Sequence, residues 1–380
     1  MNERRSLLKK HNHKLAYKIY YKQKVKKLKL NIFIILFLFL SLIIALGFFL
    51  KGDKYKLKHQ IRENSQIAEI GNEIGNLINN KNDYVNDNYQ SYRIKNENFD
   101  YFACFCSKAR GENLYANELI SYYSKLGVEK FIFGDNNLNG NEKLIDVLLD
   151  YVNNGKVDIY EIFDSDIGQV EFNQNMYEKY KTKCNWFLFF DFDEYLDIHF
   201  QPNISLRLQN FLPNKMFDKC EAILFNWLIY TDNDLIYYDN RTLLERFPIP
   251  HYIDKSNFVV KSIVRGGLNK TIFYPTKSNH VPDRNLIICN SEGTILERYN
   301  PFIVRPPSYK YAVLKHFTTK SAEEYVNKTR RGANRNLPYK IEDQILAYFR
   351  HNKFSQEKLK YFEEKFNQTF HKVRKRIKNA

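Results

Sequence analysis

Three carboxylates crowd the end of an apolar run near the middle of the chain, in WFLFFDFDEYL (Trp186 to Leu196). The run is typical of a buried strand, and Asp191 and Asp193 follow it directly. Residues two apart in an extended segment point the same way, so these two carboxylates converge while Phe192 turns back toward the core. Because like charges so close repel each other, a cation is expected between them. Mg²⁺ or Mn²⁺ suits oxygen ligands of this kind.

A divalent cation on two carboxylates suits a substrate that departs as a nucleotide diphosphate. The ion bridges the two phosphates and neutralises the charge that develops as a glycosidic bond breaks. For so short a motif, a solvated acidic turn is the competing interpretation, and the apolar strand before it counts against that. A metal-dependent phosphohydrolase is a second rival, but histidines do not cluster around the aspartates in this sequence.

Alternating strand and helix patterns begin at about Phe99 and position this motif. Such alternation predicts a mostly parallel sheet flanked by helices, with ligands at the carboxyl ends of its strands. The predicted strands are YFACFC, VEKFIF, KVDIYEIF, WFLFFD and EAILFNWLIY. Helices are predicted at Asn113 to Leu126, ended by Gly127, at Glu142 to Val152, at Gln169 to Lys183 and near Leu206 to Leu212.

A basic amphipathic helix is predicted for the C-terminus, residues 341–380. Its apolar residues step by three or four positions, and cations close the helix. Two roles stay open for this helix: packing its phenylalanines on the core, which we favour, or docking on a membrane surface. The stripe consists of Leu359, Phe362, Phe366, Phe370, Val373 and Ile377.

The stretch Ile32 to Leu50 is apolar except for Ser41, and it is long enough to cross a hydrocarbon core of about 30 Å. It exceeds the apolar region of a cleaved signal peptide, so one transmembrane signal anchor is predicted. The basic residues before it place the N-terminus in the cytoplasm. The remaining chain then faces the lumen of the Golgi and secretory membranes in a eukaryote, or lies outside the inner membrane in a bacterium.

The net charge of +16 invites a nucleic-acid interpretation, but the excess lies in residues 1–30 and 353–380. The chain between these ends is neutral overall, so no nucleic-acid partner is expected. Five cysteines form no CxxC pair and no zinc spacing, and we interpret them as free buried thiols. If disulfides do form, an odd count leaves at least one thiol unpaired.

Several blocks of the sequence, in order, resemble the glycosyltransferase family 92 group and its glycosyltransferase 2-like bacterial relatives. The match covers roughly residues 99 to 335. Blocks in a fixed order are far more specific than one D-x-D. They are RGENLYANELISYYSKLGVEKFIFGDNN, WFLFFDFDEYL, ILFNWLIYTDND with LLERF, VKSIVRG and LKHFTTKSAEEYVNKTRRG.

This resemblance implies a GT-A fold, a nucleotide-sugar donor with a UDP-sugar foremost, and Mn²⁺ or Mg²⁺ on the D-x-D. Animal members point to galactose and to inversion. Where the family has Lys-Asn-Glu, this chain has Arg110, Gly111 and Glu112, which keeps a cation and the acid. The implied donor-binding residues are Arg110, Glu112, Asp135, Asn136, Lys261 and Arg265, and the implied metal ligands are Asp191, Asp193, His280 and His316.

An inverting transfer needs a general base near the acceptor hydroxyl. Asp232 and Asp234 follow Trp227 and the last predicted strand, and Glu245 lies in a family-like Glu-Arg pair. These three acids compete for the role, and we favour Glu245 and Asp232.

The sequence therefore predicts a type II membrane glycosyltransferase acting on a glycan or glycoconjugate. Its alternative is an inactive membrane-anchored protein that binds a polyanion or glycan. The predicted organisation is a basic cytoplasmic tail at 1–30, the anchor at 31–50, a stem at 51–95, a GT-A domain at 96–340 and the helical C-terminus at 341–380.

Overall fold

Nine strands of the described chain form one mixed sheet whose first half is the predicted parallel core. The computed structural model describes residues 98–377 except 138–141, 163–167, 201–206, 253, 274–279, 281, 284, 298–302 and 333–339. These residues belong to one of two compact units of the chain, Gln90–Ala380. The predicted tail, anchor and stem lie outside the described residues. No helix within the described ranges combines the length and apolarity needed to cross a membrane.

The strands pair in the order β3-β2-β1-β4-β7-β6-β9-β5, with β8 added beside β6. The neighbours β3-β2, β2-β1 and β1-β4 are parallel, whereas β7 runs antiparallel to both β4 and β6. Parallel strands bring their carboxyl ends to one edge. The strands are β1 (Tyr101–Ala109), β2 (Lys130–Asp135), β3 (Val157–Glu161), β4 (Cys184–Phe189), β5 (Glu194–Ile198), β6 (Ala222–Ile229), β7 (Val260–Arg265), β8 (Ile288–Asn290) and β9 (Ala312–His316).

Helices flank this sheet, and the first of them shows how the sequence sets a boundary. Gly127 follows the helix with φ 105°, a left-handed conformation that glycine adopts without a Cβ clash. The predicted end at Leu126 is therefore confirmed. The helices are α1 (Asn113–Leu126), α2 (Ile145–Asn153), α3 (Gln169–Tyr180), α4 (Leu208–Phe211), α5 (Leu243–Arg246), α6 (Ala322–Arg331), α7 (Ile341–His351) and α8 (Gln356–Ile377).

The parallel half follows the sequence prediction, and the antiparallel half adds strands that periodicity did not reveal. The predicted fifth strand is β6, because Glu194–Ile198 already forms β5 directly after the aspartates. β7 and β9 occupy the blocks VKSIVRG and LKHFTTK, which had no strand assignment. Each of these strands contains a lysine, which breaks the apolar pattern of a buried strand.

Two apolar clusters cover the two faces of the sheet. Residues that alternate along β1 divide between them: Phe105 packs in the first cluster and Cys104 in the second. α1 covers the first face with Leu119 and Tyr123, and the ring centroids of Tyr123 and Phe105 lie 4.6 Å apart. The sheet is thus buried on both sides, which leaves its edges for polar chemistry.

The interpretation of the cysteines as free thiols is wrong for four of the five. Cys104 of β1 is bonded to Cys184 of the neighbouring strand β4, and Cys220 is bonded to Cys289. Sequence spacing hides these pairs because their partners are 80 and 69 residues apart and meet only through strand pairing. Cys106 is buried as a free thiol, and burial raises its pKa.

Thiol titration tests this pairing. Unfolded in denaturant without reductant, the chain should react with Ellman's reagent at one cysteine, and after reduction at all five. The Cys106→Ser variant should show no reactive thiol before reduction. Five reactive thiols in the unreduced, air-protected protein would contradict the two disulfides.

The C-terminal helices α6, α7 and α8 form a layer with an apolar cluster of its own. The predicted stripe of α8 is confirmed as buried: Phe362 and Phe370 are fully covered, and Phe362 packs against Tyr348 of α7 at a ring distance of 4.6 Å. α8 bends at Asn367, where the backbone has φ 44°. These contacts support packing on the protein as the role of the apolar face.

Candidate active site

A tight turn between β4 and β5 carries both aspartates. The backbone N–H of Glu194 donates to the carbonyl of Asp191 at 3.1 Å, and the N–H of Asp191 donates to Oε2 of Glu194 at 2.8 Å. Phe192 points into the core as expected, 4.8 Å from the ring of Phe133. The expectation of an extended segment is wrong, because this turn aims the two aspartates at different partners.

Asp191 faces the strand and helix that flank the end of β4. Its carboxylate accepts hydrogen bonds from Gln169 Nε2 of α3 at 2.6 Å and from Lys261 Nζ of β7 at 2.8 Å. The side chain is 34% exposed. Burial raises the pKa of Asp191, but the Lys261 ammonium more than offsets that effect and leaves the pKa below its usual value. Asp191 is therefore a charged group that remains open to solvent.

Asp193 is buried among cationic side chains. β9 pairs antiparallel with β5 so that His316 lies opposite Glu194, and this places His316 Nε2 3.4 Å from Oδ1 of Asp193. Its other oxygen lies 3.1 Å from Lys328 Nζ and 3.5 Å from Lys320 Nζ. Burial raises the pKa of this carboxyl, yet the charges of Lys328 and Lys320 and the contact with His316 outweigh burial and hold the pKa well below its usual range.

Glu194 is the third carboxyl of the turn and behaves differently. It is fully buried, and its Oε1 has no hydrogen-bond partner. Burial raises its pKa well above the usual value; Lys261, 3.9 Å away, lowers it only in part, and Asp191 and Asp193 raise it further. Burial also lowers the pKa of Lys261, but the carboxylates of Asp191 and Glu194 leave it raised. The site thus places a buried carboxyl group whose pKa is raised beside a lysine whose pKa is also raised.

Two histidines and a tryptophan complete this wall of the site. The ring of Trp227 lies 4.1 Å from that of His316 and 5.4 Å from that of His280. Burial lowers the pKa of His280 to about 3, and it also lowers the pKa of His316. Nδ1 of His316 and Nε1 of Trp227 are buried and have no hydrogen-bond partner. Neutral imidazoles are the form that binds a metal ion.

A cavity of about 250 Å³ opens beside Asp193 between α1 and α6. Glu112, which precedes α1, faces it with Oε2 buried and without a hydrogen-bond partner. Burial raises the pKa of Glu112, and the charges of Lys320 and Arg331 oppose that rise. The cavity also contacts Tyr115, Lys328 and Glu324. Cations, and an acid with one carboxylate oxygen that accepts no hydrogen bond, therefore line a space large enough for part of a substrate.

The structure brings together one group of the predicted residues. Lys261 lies next to Ser262, which pairs with Phe189 at the end of β4, so it stands beside the aspartates. The residues gathered around the turn are Asp191, Asp193, Lys261, His280 and His316, with Glu112 across the cavity.

Three predicted donor contacts lie at the ends of β1 and β2 and have partners of their own. Asp135 is buried and accepts the N–H groups of Asn137 and Leu144 at 3.0 and 2.8 Å, which shapes the chain before α2. The N–H of Asn136 donates to the carbonyl of Ala109. Arg110 donates to the carbonyl of Arg331 at 3.3 Å.

Arg265 lies at the opposite end of β7 from Lys261, because it pairs with Trp186 near the start of β4. Its guanidinium stacks 4.3 Å from the Trp186 ring and donates to the carbonyls of Cys220 and Phe217. Those contacts hold the loop before β6. Because these contacts engage its guanidinium at the far end of β7, the structure gives Arg265 a role in holding that loop.

Neither favoured catalytic acid lines the cavity. Glu245 is the third residue of α5, and its carboxylate accepts the N–H and hydroxyl of Thr242 in a capping box. Asp232 is buried against the C-terminal helices, where Lys358 Nζ lies 2.7 Å from Oδ2. Both carboxylates therefore have structural partners.

Sequence reasoning missed Lys320, which precedes α6, and Lys328, which lies within that helix. Ser321 caps this helix, Lys320 precedes the cap, and Lys328 follows it by two turns on the side facing Asp193. Lys320 has φ 52°, an uncommon conformation for a residue with a side chain. Both lysines stand in the block LKHFTTKSAEEYVNKTRRG, so the resemblance already contained the signal.

Comparison with known proteins gives only distant likenesses. No protein-family model and no curated protein matches the chain. A crystal structure of S. aureus TarS is 11% identical with a TM-score of 0.31, covering 71% of this chain and 43% of that one. TarS 1-349 in complex with UDP is 12% identical with a TM-score of 0.31, covering 71% and 72%.

A third structure, 4-diphosphocytidyl-2C-methyl-D-erythritol synthase from Anaerococcus prevotii DSM 20548, is 11% identical with a TM-score of 0.22. It covers 44% of this chain and 72% of its own. This chain spans less than half the length of the first TarS chain. Likenesses of this size carry no argument about activity, so the function is argued from the site itself.

Proposed function

We propose that the chain is a glycosyltransferase of the GT-A type that moves a sugar from a nucleotide diphosphate donor, foremost a UDP-sugar, to a glycan or glycoconjugate. The observation that carries the proposal is Asp193, a charged carboxylate buried at the carboxyl end of β4 beside a cavity and flanked by His316, Lys320 and Lys328. Ligands of open α/β sheets bind at this edge. Such a concentration of lysine ammonium groups suits a diphosphate, which carries the opposite charge.

Asp193 and His316 form a pair that could supply two ligands to a divalent cation at the turn. Oδ1 of Asp193 and Nε2 of His316 lie 3.4 Å apart, and Asp191 supplies a second, partly exposed carboxylate. Carboxylate and imidazole ligands suit Mn²⁺. When bound, such an ion neutralises negative charge on the diphosphate as the sugar bond breaks. His280 stands behind Trp227 and helps to enclose the site.

The remaining roles follow from which side chains face the cavity. Lys320 and Lys328 lie within reach of phosphate oxygens that approach Asp193, and Lys261 holds Asp191 in place. Glu112 is the acid with a raised pKa at the cavity, which is the property expected of a general base working near neutral pH. We therefore assign the acceptor hydroxyl to the Glu112 side of the cavity.

The proposal includes the predicted topology, with the N-terminus in the cytoplasm, one anchor and a stem. The apolar stretch at residues 32–50 supports it. The acceptor would then be a glycan or glycoconjugate on the far side of the membrane.

A donor screen tests the function. The full chain, purified in detergent, is incubated with each common nucleotide sugar and Mn²⁺, and the released nucleotide diphosphate is measured. We expect release from one donor, and its loss when EDTA removes the metal. Turnover of no donor, together with an unchanged melting temperature in every nucleoside diphosphate, would support the inactive binding protein instead.

A further inference from the structure

A second group of metal-binding side chains lies away from the proposed active site. It consists of His251, Asp254 and His351, whose ligand atoms all lie within 4.8 Å of one another. The first two stand in the loop between α5 and β7, and His351 is the last residue of α7. The three residues therefore connect the sheet to the C-terminal helical layer. Nothing in the proposed glycosyl transfer uses them.

The atoms are arranged around one carboxylate oxygen. Nδ1 of His251 lies 3.3 Å from Oδ2 of Asp254, is buried, and has no hydrogen-bond partner. Nδ1 of His351 contacts the same oxygen. With ligands about 2.05 Å from a zinc ion, the edge of a tetrahedron is about 3.3 Å. The His251–Asp254 separation matches that edge.

The surroundings hold these ligands in place and leave one side open. Asp254 Oδ1 accepts the N–H of Ser256 at 2.7 Å, and the carbonyl of His251 accepts Nδ2 of Asn257 at 2.8 Å. The Asp254 side chain is 3% exposed, whereas that of His251 is 30% exposed. A bound ion would thus keep one coordination position open to solvent. On the buried side, hydrogen bonds from neighbouring groups would hold its ligands in place.

Charge at the site favours a cation. The Asp254 carboxylate supplies negative charge at the centre of the group, and a metal ion binds a carboxylate in its ionised form. His351 also ends α7, where the helix dipole presents partial negative charge.

We propose that His251, Asp254 and His351 bind a divalent transition-metal ion of the zinc class, which ties α7 to the loop between α5 and β7. His351 would bind the ion through Nδ1 as a neutral imidazole that carries its hydrogen on Nε2, and a second ring proton, where present, would be released to solvent. The next residue, Asn352, accepts the N–H of Asp232 at 2.6 Å, so the ion joins a contact region that already links the two layers. This site is independent of the proposed glycosyl transfer.

Cobalt spectroscopy on the full chain, prepared without a histidine tag, tests the site. Co²⁺ added to the metal-free protein should give visible absorption bands of a four-coordinate ion, and Zn²⁺ should bleach them. Saturating Zn²⁺ should raise the melting temperature by about 5 °C at a hundredfold excess over Kd. The His251→Gln and His351→Gln variants should lose the bands.

Two controls separate this site from others. The His371→Gln variant changes an exposed histidine of the same helical layer and should keep the bands. The Asp193→Asn variant should also keep them, which distinguishes this ion from one at the proposed active site. Wild-type protein that gives no bands with excess Co²⁺ would overturn the proposal, even if the histidine variants fail to fold. Bands that persist in folded His351→Gln would overturn it as well.

Discussion

Replacing Asp193 with asparagine should lower kcat/KM for donor turnover by about 10³-fold, the scale seen when one charge-stabilising group is lost from an active site. The substitution keeps the size of the side chain and removes its negative charge. Lys320, Lys328 and His316 then lose the group that holds them in position. A metal ion also loses a ligand. The measurement is nucleotide release over a range of donor and Mn²⁺ concentrations.

The matched control for this change is Asp197→Asn in β5, the strand that follows the turn. Asp197 pairs with Lys315 at 2.8 Å but is 40% exposed, so its charge is screened by water. Its loss should leave kcat/KM within about twofold, since isolated surface ion pairs contribute little. Circular dichroism checks that both variants fold. Folded Asp193→Asn protein with wild-type turnover would remove this carboxylate from the proposed mechanism.

Replacing Lys358 with methionine should lower the free energy of unfolding by about 3–5 kcal/mol, because one partner of a buried ion pair is removed. Lys358 is 1% exposed, and its ammonium lies 2.7 Å from Asp232 and 2.8 Å from Asp234. Asp232 is equally buried. Without the lysine, its carboxylate keeps the hydroxyl of Tyr348 and the N–H of Asp234 as hydrogen-bond donors. Urea denaturation followed by fluorescence measures the change.

The control is Lys360→Met, two residues along the same helix and exposed. It should change the free energy of unfolding by less than about 0.5 kcal/mol. The double variant Asp232→Asn with Lys358→Met should recover part of the loss, because no charge is then left buried. A loss below about 1 kcal/mol in Lys358→Met would show that water or other groups compensate Asp232. It would reopen the question of a catalytic role for this aspartate.

The sequence revealed elements whose signals are local. Periodicity and a C-terminal glycine placed α1 within its observed bounds, and an apolar run ending in acids placed β4. The antiparallel strands β5, β7 and β9 depend on pairing across long stretches of chain, and each carries polar residues that hide it. Local patterns therefore recovered the parallel half of the sheet, but neither the turn that carries the aspartates nor the antiparallel strands.

The site likewise combines residues that are neighbours in the sequence with residues that only the fold brings together. Asp191 and Asp193 stand together in the sequence, whereas Lys328 comes 135 residues after Asp193 and reaches it only through the packing of α6. Glu245 was favoured because of its motif, although the pattern Thr242-x-x-Glu245 is a capping box that sequence can reveal. Both disulfides were missed for the same reason as the lysines, because the residues that they join are far apart in the sequence.

The bond between Cys104 and Cys184 has a competitor within its own strand. Cys106 follows Cys104 by two residues, so both sulfurs face the same side of β1, and both belong to the second apolar cluster. Exchange would require Cys106 to attack as a thiolate. Burial keeps that sulfhydryl protonated, since it raises the pKa. The Cys106 thiol is thus unreactive in the folded chain, and exchange with the Cys104–Cys184 disulfide is confined to unfolded molecules.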